Sequence, residues 1–160
     1  MVLVLEGLLM CVFLTLFCLF GKRGGAVRLV HLYEKEVQER AISLGLITPA
    51  QIRRNSLFFK LVGMTLYIAC LLIFAYAING AQTFTDGFLQ MLVLLLMMGV
   101  YDRIVIDIWW VDHTDGWRVP ATEDLRPYIP ARVHLRKWVI TLVVYPAMAA
   151  ALAGIMTLIL

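Results

Sequence analysis

Four long apolar runs decide what this chain can become. They cover roughly 2–20, 57–78, 88–110 and 138–160 of the 160 residues. Crossing about 30 Å of hydrocarbon takes about 20 helical residues, so each run is long enough to span a bilayer. The runs are continuously apolar, whereas barrel strands would be shorter and would alternate. In lipid a helix satisfies its own backbone polar groups, so the expectation is an all-α integral membrane protein with four transmembrane helices. The first run lacks both a positively charged lead-in and a small-x-small cleavage pattern, and reads as a retained span.

Composition agrees. Hydrophobic residues make up 62% of the chain and charged residues 16%, against about 25% charged in an ordinary soluble domain. The net charge of +3 accompanies no nucleic-acid-binding motif, so no nucleic-acid partner is expected. Its distribution is informative instead. Lys22, Arg23, Arg28, Lys35, Arg40, Arg53 and Arg54 fall in the loop 21–56. Arg118, Arg126, Arg132, Arg136 and Lys137 fall in the loop 111–137, and the turn near 81–86 has no Lys or Arg. Basic loops stay inside. The reading is a plasma membrane of bacterial type, with both long loops cytoplasmic and both termini outside.

The first loop carries an amphipathic pattern over Val27–Leu44. Val30, Tyr33, Val37, Ala41 and Leu44 share one face at helical spacing. Glu36 and Arg40 are placed for an i,i+4 pair, and Gly45 suits the stop. An inner-interface helix is expected here. Thr48, Pro49 and Gln51 then form a capping-box signature that leads into the second span. The second loop contains Pro120, Pro127 and Pro130, which disfavour one continuous helix. Trp117, Tyr128 and Ile129 offer it something to bury, so a Pro-rich cap beneath the bundle is expected.

Charges inside an apolar run are costly and usually face protein or water. Asp102, Arg103 and Asp107 sit toward the inner end of the third span, and Glu6 lies in the first. Asp102, Asp107 and Glu6 are therefore candidate proton- or cation-binding residues. Arg103 either balances that site or acts as structural glue. Regular helical spacing would line Asp102, Ile106, Trp109 and His113 along one face, with Trp109 and Trp110 as interface anchors.

The second loop holds the residues that catalysis would need. Asp112, His113, Asp115 and Glu123 are candidate catalytic groups, and His113, His134 and Asp112 are candidate ligands for a divalent metal. Arg118 and Arg126 are candidates to hold an anionic head group or phosphorylated substrate. Their spacing matches no established metal motif. Cys11, Cys18 and Cys70 lie in apolar runs with no Cys-x-x-Cys pair, and read as packing residues.

The fourth span spaces Ala147, Ala150, Ala151 and Gly154 three or four apart. Such a face suits close packing within the bundle, a homo-oligomer or a larger membrane complex. Pro146 is expected to kink this span. The chain has no phosphate-binding loop, dinucleotide fingerprint, Gly-x-Ser-x-Gly elbow, voltage-sensor repeat or potassium filter. The functional expectation is a non-catalytic binding, permeation or accessory component in the lipid bilayer. Its alternative is a metal-dependent membrane enzyme acting on a lipid-linked or phosphorylated substrate at the inner face. Cysteines introduced within 26–54 should react with impermeant reagents only after the membrane is opened; labelling from outside would overturn the orientation.

Overall fold

The computed structural model describes residues 2–160, and these contain helices and no strand. Helix α1 is Val2–Gly21, α2 is Lys35–Ser43, α3 is Pro49–Leu72, α4 is Phe84–Tyr101 and α5 is Ala131–Ile159. Helix α3 continues as a π-wound turn over Ile73–Ile78, and α4 as a longer π-wound stretch over Asp102–Val111. Three helices are long and apolar enough to cross a membrane: Val2–Gly21, Pro49–Ile78 and Ala131–Ile159. The third apolar run becomes α4, which packs between α1 and α5.

Local chemistry accounts for most helix ends. The Thr48 side chain accepts from the Gln51 backbone N–H at 3.3 Å, and the Gln51 side-chain Oε1 accepts from the Thr48 N–H at 2.9 Å. This reciprocal box starts α3, with Pro49 in its first turn. Helix α2 ends in a Schellman motif: Leu46 N–H donates to the Ala41 carbonyl and Gly45 N–H to that of Ile42. Gly45 supplies the left-handed φ of +68° that the motif needs.

The continuous amphipathic helix expected over Val27–Leu44 does not form. A 3-10 segment, Ala26–Leu32, is separated from α2 by the extended residues Tyr33 and Glu34. A distant bond accompanies the break: the Tyr33 hydroxyl donates to the Trp117 carbonyl at 2.9 Å. Val30, Tyr33, Val37 and Ala41 are nevertheless all buried, while Leu44 is exposed. The apolar stripe thus survives the change of backbone path. The expected Glu36–Arg40 pair also gives way, because Arg40 bonds Asp124 at 3.2 Å instead.

Two apolar cores result. The first joins Met10 of α1, Leu71 and Ala75, Met91, Leu94, Leu95 and Met98 of α4, and Ala149 and Ala153 of α5. Among the small residues of α5 the buried pair is therefore Ala149 and Ala153, while Ala147 and Ala151 are exposed. The second core forms a cap from Leu29, Val30, Tyr33, Val37, Trp117, Val119, Tyr128 and Ile129, against Ile106 and Val111. Inside this cap the Tyr128 hydroxyl accepts from the Val119 N–H at 3.3 Å and lies 3.0 Å from the Thr122 hydroxyl. Trp110 meets Trp117 edge-on, with ring centroids 5.0 Å apart. The Lys22 ammonium lies 5.1 Å from the Trp117 ring, a favourable cation–π distance.

Trp117 is 1% exposed and Trp109 is 62% exposed. Trp117→Ala should therefore cost about 3–5 kcal/mol of stability. Trp109→Ala should change thermal unfolding in detergent little, and equal losses from the two would contradict the cap.

Candidate functional site

The charged residues of the third apolar run meet at the C-terminal end of α4, where its winding changes. An α-helix would have carried Asp102, Ile106, Trp109 and His113 along one line. The π-wound stretch breaks that line: Ile106 is 4% exposed while Trp109 points outward. Arg103, Asp107 and Val111 are the buried set instead, together with Ile106. Wider turns of this kind often occur at functional sites.

Asp107 is the centre of the cluster. The Lys137 ammonium, from the first turns of α5, donates to both Asp107 carboxylate oxygens at 2.7 Å. Arg103 donates to Asp107 Oδ2 at 3.4 Å and also bonds Asp102. Two carboxylates thus face two permanent cations, so the group is neutral by formal count. Arg103 and Asp107 are 5% and 4% exposed. Buried charges in such a setting are tolerated only when paired.

Close helix packing makes the contact possible. A side chain at Gly99 would come within 2.8 Å of the Tyr145 ring and 2.9 Å of the Thr141 methyl. Glycine there lets α5 approach α4 and brings Lys137 to the depth of Asp107. Thr141, one turn beyond Lys137, donates to the Lys137 carbonyl at 3.0 Å. Helix α1 joins through Thr15, whose hydroxyl lies 2.7 Å from that of Tyr101. The Arg103 Nε and the Tyr67 hydroxyl are buried without a hydrogen-bond partner.

Glu6 belongs to a separate place. It is buried among the helices rather than turned out to the interface. Asn79, which follows the π turn of α3, donates to its Oε2 at 2.9 Å, and Oε1 has no partner. The acidic candidates therefore divide into a pair, Asp102 and Asp107, bridged by Arg103, and the distant Glu6.

The loop candidates form no metal-holding group, although His134, Arg126 and His113 lie close enough to Asp112 to act on its charge. His113 is exposed, with Nδ1 2.7 Å from the Ile108 carbonyl. Asp115 pairs with Arg118 at 2.6 Å, and both side chains are exposed. Glu123 is exposed as well. Arg126 donates to the Asp112 carbonyl and stacks on Tyr128, so its guanidinium serves the cap. Asp112 Oδ1 and His134 Nδ1 are enclosed without partners. Burial pushes the Asp112 carboxyl above its ordinary range, against the lowering effect of His134, Arg126 and His113. Among the described residues, no three His, Cys, Asp or Glu side chains are grouped to hold a metal ion.

Sequence reasoning missed Lys137 as a site residue, although its position in the first turns of the last span was visible. It also missed Gly99, Tyr67 and the Asn79–Glu6 bond, none of which has a local signature. A comparison with protein-family models, curated proteins and solved structures found no match.

Removing one partner of a buried pair leaves the other charge uncompensated, at about 3–5 kcal/mol. Asp107→Asn and Lys137→Met should each lower the unfolding temperature in detergent by an amount reflecting that loss. The double variant should lose less than the sum of the two. Additive losses would mean that the pair is not coupled.

Proposed function

We propose that this chain is a non-catalytic component of a bacterial-type plasma membrane that binds a proton or cation at the inner end of its third span. In this reading α4, extended by its π-wound stretch, is a fourth span, and both termini lie outside. The placement of α4 between two membrane-length helices supports it, as does the Lys/Arg bias of the two long loops.

One observation carries the binding assignment: the two carboxylates of the inner cluster are held differently. Asp107 has both oxygens occupied by Lys137. Asp102 is held by Arg103, and its side chain is 24% exposed. Asp107 is therefore the structural anchor and Asp102 the exchangeable acid. A proton or cation arriving at Asp102 competes with Arg103, which keeps its second partner in Asp107. Such sharing lets a buried site change charge without leaving a cation stranded. The exposed Ala147 and Ala151 of α5 also support assembly with a second copy or a larger membrane complex.

In proteoliposomes the full chain should dissipate a proton, sodium or potassium gradient faster than protein-free vesicles do. Asp102→Asn should reduce that rate at least about tenfold, equivalent to about 1.4 kcal/mol, while lowering the unfolding temperature less than Asp107→Asn, because Arg103 keeps Asp107. Gradients that decay alike with wild type, variant and no protein would remove the permeation reading.

A further inference from the structure

One face of α3 runs from the basic end of the helix into its apolar part. Pro49, Ile52, Arg53, Ser56 and Lys60 line a recess of about 510 Å³ beside the loop residue His31. Lys60 also lies at the edge of a second cleft of about 350 Å³, whose walls include Phe17, Met64, Tyr67, Val144 and Met148. Lys60 is thus common to a polar recess and an apolar cleft. At 1.5 Å per residue, the step from Lys60 to Tyr67 spans about 10 Å along the helix. That falls within the hydrocarbon depth of one leaflet, about 15 Å.

The two parts differ in chemistry. The recess has Arg53 and Lys60 and no acidic lining residue. Among the described residues neither cation makes an ion pair, whereas Arg40, Arg103, Arg118, Arg132 and Lys137 do. Both His31 ring nitrogens are enclosed without a hydrogen-bond partner. Burial, aided by Lys60 and opposed by the Arg28 backbone, lowers the His31 imidazole from its ordinary range. The cleft below is walled by aromatic, Met and aliphatic side chains, with Lys60 its one charged lining residue among those described.

We propose that recess and cleft together form a site for one anionic phospholipid, with its phosphate at Arg53 and Lys60 beside His31 and an acyl chain in the cleft. Charge complementarity selects the head group: Arg53 and Lys60, neither in an ion pair, line the recess, and no carboxylate there opposes an anion. The apolar cleft opening from the same lysine selects a lipid over a free phosphate. Lys60 holds its charge at the polar boundary while its stem lies along the apolar wall.

The test is native mass spectrometry of the delipidated full chain in an uncharged detergent. It is titrated with phosphatidylglycerol or with phosphatidylcholine of the same acyl chains. Wild type should hold one phosphatidylglycerol at least about tenfold more tightly than phosphatidylcholine. The double variant Arg53→Gln, Lys60→Gln should weaken phosphatidylglycerol roughly thirtyfold, from two head-group cations, and weaken phosphatidylcholine much less, because its choline already offsets the phosphate charge. Val144→Trp fills the cleft from a half-exposed position. It should weaken long-chain phosphatidylglycerol while sparing a short-chain analogue. Arg53, Lys60 and Val144 are all exposed, so the variants should keep the wild-type unfolding temperature. Equal binding of the two lipids by wild type would overturn the proposal. So would full phosphatidylglycerol binding by the double variant, or an unaltered long-chain affinity in Val144→Trp.

Discussion

The Asp107 carboxylate, held by Lys137 and Arg103, is the constraint on which the capped half of this molecule depends. A carboxylate 4% exposed must have its charge answered at close range. Arg103 answers from the same helix and Lys137 from α5. The contact therefore sets how far α5 slides along α4 and which way its first turns face. The absent side chain at Gly99 permits the approach. Burial of Ala149 and Ala153 continues the packing toward the other end of α5. Charge pairing and close packing act on the same pair of helices and favour one register.

The cap depends on that register. Val111 and Ile106 leave the π-wound end of α4 and enter the cap core with Trp117, Tyr33 and Tyr128. Both long loops thus close on the same helix end. The closure is apolar in bulk but directional in detail, because the hydroxyls of Tyr33 and Tyr128 reach backbone groups of the second loop. A buried hydroxyl with a partner adds specificity, whereas one without a partner costs stability. Arg40 bonded to Asp124 and Arg132 bonded to Glu34 tie the rim. These rim pairs are exposed and contribute little energy; the buried aromatics carry the cap.

Much of this was legible in local patterns. The apolar runs mark the long helices. The Thr48–Gln51 box and the Gly45 stop were readable because a cap is decided within a few residues. The buried stripe Val30, Tyr33, Val37 and Ala41 was readable from its spacing, and Trp117, Tyr128 and Ile129 from their apolar surface. The charged cluster at 102–107 was conspicuous because ionisable residues rarely interrupt an apolar run.

Other features had no local cause. Nothing near Tyr33 predicts that its hydroxyl bonds the Trp117 carbonyl, 84 positions away, yet that contact accompanies the break in the expected helix. Arg40 had a suitable partner at Glu36 and took Asp124, because the fold brought the second loop over α2. The π winding redirects Trp109 and joins Asp107 to Lys137, 30 positions along the chain. Sequence alone determined where the long apolar helices lie, where several helices start and stop, and which residues demand burial, since those depend on short-range sterics and transfer from water. Tertiary structure decided which charges meet, where the helix winding widens and which loop residues stay apart. Those outcomes depend on the relative depth and rotation of helices, which no single segment contains.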